Sequence, residues 1–229
     1  MMKLIRLEWK KNNVLKYIRN AVITTVVLAI LIVPMAGELE ASGTVQLYGN
    51  SMLCTTTELF VHMAYIIFTG VMLAAFLVGA YEKKTMNLMF SYPIKRKKIL
   101  LSKMAAVWIF NLIAMIVSKV LIYLALIWTR SFTGISASEI QFGRLSFWLE
   151  ILLGSAAMVS ISYISLLIGL KMRSSKATIV SSVVIVCLTQ GNIGSATLAN
   201  NIPFFVILFA ASIVSVYLSI YNVETKDLL

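Results

Sequence analysis

Apolar and polar positions alternate along this chain in long blocks. Apolar runs cover residues 21–36, 59–80, 99–128, 148–170, 177–190 and 204–221, separated by polar connections. An α-helix needs about 20 residues to cross a hydrocarbon core about 30 Å thick, and most of these runs qualify. The 99–128 run is longer than one crossing requires, so it tilts or its ends protrude into the headgroup regions. Pro34, near the end of the first run, is expected to bend or terminate that helix. The fifth run is clearly apolar only to Leu188, and a polar stretch over 189–203 follows it. Irregular backbone is not viable against lipid, so that stretch is either an outer loop or a re-entrant segment packed within protein.

The first twenty residues differ from the rest. Leu4, Leu7, Val14, Leu15 and Ile18 recur at helical spacing, with Trp9 and Tyr17 as interfacial aromatics and Lys3, Arg6, Lys10, Lys11, Lys16 and Arg19 on the polar side. Such a helix over 1–20 lies in the plane of the membrane surface, its cations toward anionic headgroups. The plainer alternative is a charged tail ahead of the first span. A cleaved signal peptide fits poorly, because five further apolar segments follow the first.

Charge placement then sets the topology. Basic residues gather at the N-terminus, in the 81–98 connection and in the 171–176 turn, whereas the outer connections hold only Arg130 and Arg144. Alternate connections are therefore positive, as cytoplasmic ones are. The expectation is an all-α integral membrane protein forming one domain, 1–229. It has six transmembrane helices, both termini inside, an interfacial amphipathic helix and a cytoplasmic helix in the 81–98 connection. Composition agrees: 60% of the 229 residues are apolar and 13% charged, about half the charge a water-facing surface usually carries. The net charge of +11 would suggest nucleic acid in a soluble protein. Here it follows the topology, and no nucleic-acid partner is expected. Small residues four apart (Gly70 with Ala74, Ala75 with Gly79, Ala156 with Ser160, Ser165 with Gly169) suit close helix packing.

Candidate chemistry is sparse. The sequence contains no G-x-x-x-x-G-K-[ST] phosphate loop, no G-x-S-x-G elbow and no H-E-x-x-H pair. Neither catalytic residues nor a bound metal or cofactor are expected. Cys54, in a predicted outer loop, and Cys187, in a predicted span, do not suit a disulfide or a metal site; Cys187 reads as a small packing residue. His62, the sole histidine, reads as a packing residue at the outer end of the second span. Lys119 stands out because it lies well inside an apolar run, where an ionisable group is costly. It is a substrate contact, a structural ion pair or a lysine snorkelling to the outer surface, with Glu58 and Glu150 as partners at similar depth. The scarcity of such groups argues against an ion-coupled carrier.

The most informative segment is EKKTMNLMFSYPIKRKKILLSK, residues 82–103. Thr85, Leu88 and Met89 share one side of a short helix that Pro93 would stop. A cytoplasmic helix clamped between two spans can act as a lever for a docked protein. This segment resembles the E-x-x-x-T-…-S-x-P-[IV]-x-R-…-K signature between the second and third helices of ABC-2 type transporter permeases: Ser91, Pro93, Ile94, Arg96 and Lys103 match it, and Glu82 and Thr85 supply its acid and threonine at a spacing one residue shorter. The resemblance covers the whole chain through the interfacial helix and the six-helix count. It implies a coupling helix at residues 82–89 and ATPase-coupling roles for Glu82, Thr85, Leu88, Met89, Pro93 and Arg96. It also implies a cytoplasmic P-loop ATPase partner carrying ATP and magnesium, and a second permease subunit, identical or related. The compact length is similar to that of permeases handling lantibiotics, bacitracin or amphipathic toxin peptides. The competing expectation is a membrane scaffold or sensor whose basic loop recruits a cytoplasmic partner.

Overall fold

A computed structural model describes residues 2–41, 52–82, 96–133, 145–193, 196–197 and 202–225. The fold is helical: α1 (Met2–Lys11), α2 (Val14–Ala41), α3 (Met52–Leu73), a π turn (Ala74–Val78), α4 (Gly79–Glu82), α5 (Arg96–Thr133), α6 (Leu145–Ile161), α7 (Ile164–Met172), α8 (Ser175–Gln190) and α9 (Ile202–Thr225). Between α8 and α9, β1 (Asn192–Ile193) and β2 (Ala196–Thr197) form a two-residue antiparallel ladder in which Asn192 faces Thr197.

Among the described residues, five segments are long and apolar enough to cross a membrane: Val14–Met35, Cys54–Glu82, Lys97–Thr129, Leu145–Met172 and Pro203–Ile220. The expected fifth span coincides with α8. At 16 residues that helix is about 24 Å long, short of the hydrocarbon thickness.

Several boundaries differ from expectation for local reasons. The N-terminal helix does not run through residue 20. It stops at Lys11, where Asn13 takes a left-handed conformation (φ 49°) that asparagine tolerates better than most residues. Asn12 helps close the turn by donating from Nδ2 to the carbonyl of Glu8 (3.2 Å). Residues from Val14 onward belong to the first spanning helix. Nor does Pro34 end that helix, which continues to Ala41. The fourth apolar run is two helices, α6 and α7, joined at Ser162 and Tyr163. Cys54 lies buried in α3 rather than in a loop, and Cys187 is on the exposed side of α8.

The chain divides into two compact units. One comprises Met1–Val14, Tyr65–Asn111 and Ala157–Leu229; the other, Leu15–Ala64 and Leu112–Ala156. In the first, α7 packs against α8, α9 and the π turn, and α8 also meets the π turn. Tyr65, Met72, Phe76, Leu77, Leu100 and Leu166 are among its fully buried side chains. Two glycines set how close the helices come. A Cβ at Gly70 would overlap Ser182, and one at Gly169 would overlap Thr178, so α8 presses on both α3 and α7. Two of the small residues singled out in the sequence thus meet a partner helix.

In the second unit, Thr25 and Ser118 share a hydrogen bond between α2 and α5. Tyr123 packs on Phe147 with ring centroids 5.4 Å apart. Ile32, Val61, Met115 and Ile122 complete the interior.

α9 shows why this fold belongs in lipid. Ser212, Ser215 and Ser219 are buried, while Val206, Ile207, Ile213, Val214 and Leu218 are exposed. Water would favour the reverse arrangement. Against hydrocarbon, apolar side chains face the solvent and small polar ones serve helix contacts. Each of the three serines satisfies its hydroxyl on a carbonyl, Ser215 on that of Tyr163 (2.9 Å).

Candidate functional site

Three local arrangements carry the polar chemistry of the described residues. The first surrounds the 82–103 segment. Glu82 ends α4 and is exposed, yet its carboxylate is engaged. Oε2 accepts from the backbone N–H of Ser175 (3.2 Å) and from Ser175 Oγ (2.6 Å). Ser175 is the first residue of α8, and the preceding Ser174 makes no side-chain cap of its own. Glu82 therefore caps α8 from another helix. A carboxylate there satisfies an orphan N–H and suits the positive end of the helix dipole. The path to this cap is short, because Arg173 closes α7 in a left-handed conformation (φ 48°) and Ser174 N–H then bonds the carbonyl of Gly169 (3.2 Å).

At the other end of the segment, Arg96 opens α5. Lys103, two turns later, is buried. Its Nζ donates to the carbonyl of Phe76 (3.1 Å), within the π turn, and stands 3.8 Å from Glu8 of α1. Trp9 Nε1 donates to the carbonyl of Ala106 (3.2 Å), a second tie between α1 and α5. Thr85, Leu88, Met89 and Pro93, with Ser91 and Ile94, lie outside the described residues.

The second arrangement centres on Lys119, which is fully buried. Nζ lies 3.0 Å from His62 Nε2 and 3.4 Å from Glu58 Oε1. With Lys119 charged, its ammonium only donates, which assigns His62 Nε2 as the acceptor and Nδ1 as the protonated nitrogen. The lysine does not snorkel to a surface. His62, expected as interfacial packing, is instead a buried hydrogen-bond partner. The Glu58 side chain keeps 33% of its accessible surface, so this ion pair is open on its acidic side. Glu150, on α6, is exposed. Nothing in the spacing of the sequence singled out His62 as a lysine ligand, although it sits one helical turn from Glu58, on the same side of α3.

The third is a cavity of ≈ 330 Å³ lined chiefly by Leu101, Met104, Trp108, Tyr163, Phe209 and Ile213. Hydrogen bonds between lining residues hold its walls. Tyr163 donates to the carbonyl of Met104 (2.7 Å), and Trp108 Nε1 to Ser160 Oγ (3.2 Å). Among the described residues, no group of three or more His, Cys, Asp or Glu side chains is placed to hold a metal ion.

Inverted polarity, five spanning-length segments among the described residues and tightly packed glycines mark a multi-pass helical protein of the plasma membrane, consistent in general architecture with a permease. The chain is similar to the uncharacterized protein YcbO of Bacillus subtilis (strain 168), at 26% identity over 227 residues, 99% of this chain and the whole of that one. No protein-family model matches the chain. No solved structure matches it.

Proposed function

We propose that this chain is the membrane-spanning subunit of an ATP-driven exporter. It takes its energy from a separate P-loop ATPase docked on the 82–103 segment. It moves hydrophobic or amphipathic molecules, antimicrobial or toxin-like peptides in particular, out of the cytoplasm or the membrane. A second permease subunit completes the pathway, and α8 serves as the sixth crossing.

The observation that carries this reading is the anchoring of both ends of that segment. Glu82 is bonded to the start of α8, and Lys103 to α1 and the π turn. A protein pushing on the intervening residues would act through α4 and α5 on three further elements at once, α8, α1 and the π turn, as a coupling helix must. The signature running from Glu82 to Lys103 supports the same assignment, and the apolar cavity of ≈ 330 Å³ supports the substrate class, since it falls within the usual size range of ligand pockets. Hydrolysis then belongs to the partner, which would bind ATP and magnesium.

The test is affinity purification of the tagged chain in mild detergent, with mass spectrometry and an ATPase assay on the eluate. Recovery of a P-loop ATPase, lost when the 82–98 connection is replaced by a neutral linker, is the expected result. Recovery of the chain with some other cytoplasmic protein, and no ATPase, would favour a scaffold or sensor and end the exporter reading.

A further inference from the structure

The π turn at Ala74–Val78 lies between the second spanning helix and the Glu82 cap, and its surroundings give it a role. A π turn holds one more residue than an α-helical ladder accommodates, and Gly79 N–H accordingly reaches back five residues to the carbonyl of Ala74. Such turns are rare and costly in isolation and cluster at functional sites. This one is held from outside. The buried ammonium of Lys103 donates to the carbonyl of Phe76 in the middle of the turn (3.1 Å), and Glu8, itself buried, stands 3.8 Å from the same Nζ.

The register matters downstream. Losing the extra residue from the turn would rotate everything after it by about 100° and shift it by about 1.5 Å relative to the helix before it. Glu82 lies four residues beyond the turn, and its bond to Ser175 Oγ is 2.6 Å. That bond cannot survive such a rotation without compensation elsewhere. Gly79 sits in the same confined place: a Cβ there would stand 3.2 Å from the carbonyl of Ala74 and 3.6 Å from Ser175 Oγ. Turn, lysine and cap are therefore geometrically linked.

We propose that Lys103 is a positioning residue that holds the π register and so keeps Glu82 on the N-terminus of α8, making the Glu8–Lys103 contact a latch through which α1 controls that cap. When the latch is made, α4 and α8 move together; when it opens, the turn relaxes toward α-helical register and α8 is released. As regulation of coupling, the device rests on the exporter reading. Its geometry does not, and the following experiment reads only distances within the chain.

Cysteines replace Glu82 and Ser175, removing the cap itself so that the cross-link reads only the register of α4 against α8, in a background where Cys54→Ser and Cys187→Ser remove the native thiols. A short bifunctional thiosulfonate reagent then reports their separation in the full-length chain in lipid nanodiscs. The control pair is Ser165→Cys with Ser181→Cys, on α7 and α8, where Ser181 Oγ lies 3.5 Å from the Ser165 carbonyl. Lys103→Met is expected to slow cross-linking at 82/175 by about five-fold or more, the equivalent of one lost hydrogen bond, and to leave the control pair unchanged. Lys103→Gln, which keeps a donor, should restore a good part of the rate. Unchanged cross-linking at 82/175 in Lys103→Met overturns the proposal. Should Lys103→Met lose both pairs through misfolding, Glu8→Gln is read in its place: slowing confined to 82/175 supports the latch, and wild-type rates at both pairs overturn it.

Discussion

Gly169→Ala offers the most direct quantitative check on how α7 and α8 fit together. A Cβ at residue 169 would lie 2.9 Å from Thr178 Cβ and 3.3 Å from its Cγ2, with Oγ1 closer still. Thr178 has little room to yield. It is fully buried, its β-branched side chain is restricted at χ1, and Oγ1 already donates to the carbonyl of Ser174 (3.3 Å). The helices must therefore separate, and Ser174 at the start of α8 moves with them. Overpacking of this kind costs about 1–3 kcal/mol. At about 2 kcal/mol, a chain of this length loses about 4–8 °C in its unfolding midpoint. Far-UV circular dichroism of the protein in mild detergent, at a fixed heating rate, reads that shift. Adding Thr178→Ala removes Oγ1 and Cγ2 and should recover more than half of it. An unchanged midpoint in Gly169→Ala would refute the close approach of α7 and α8.

Three further outcomes follow from the polar contacts. Glu82→Ala uncaps α8, worth about 1 kcal/mol, so amide exchange over residues 175–178 should accelerate about five-fold without a change in the rest of the chain; uniform exchange would show that the cap contributes nothing. Lys119→Met should destabilise the protein by about 1–2 kcal/mol, less than a fully enclosed pair because Glu58 can rehydrate, and Glu58→Gln added to it should recover stability. Additive losses in that double variant would mean the two residues do not interact. Trp9→Phe removes the donor to Ala106 and should loosen α1 by about 1 kcal/mol, seen as earlier proteolysis after Lys10 and Lys11; a wild-type cleavage rate would place the anchoring of α1 elsewhere.

Length and polarity made the spanning helices legible, because a long run lacking charges has few alternatives to crossing lipid. Lys119 was legible for a related reason: a charge within such a run needs a partner, and Glu58 on the neighbouring span was named as one. His62 was not, since a single histidine near a span end satisfies packing and ligand roles equally well. The break after Lys11 left only the Asn12–Asn13 pair as a sign, which helical periodicity runs straight through. Pro34 does not end α2, which continues to Ala41; a proline removes one N–H and crowds the carbonyl four residues back, which can bend a helix without stopping it. The ties at Glu82 and Lys103 were beyond reach for another reason. They join residues 93 and 95 positions apart, and no local pattern reports which carbonyl or N–H a long side chain will find. The signature marked both residues as important; only the fold gives them partners.

On the exporter reading, an ATPase engages the connection between Glu82 and Lys103 and drives the spans through it. A photo-reactive amino acid placed at Met89, with the tagged chain expressed in its native cells, tests this contact in the intact membrane. Irradiation should yield an adduct with a P-loop ATPase, and the Glu82→Lys variant should keep that adduct while its ATP hydrolysis no longer responds to transported substrate. Efficient photolysis at Met89 that captures only lipid, or proteins with no nucleotide-binding motif, would contradict the account.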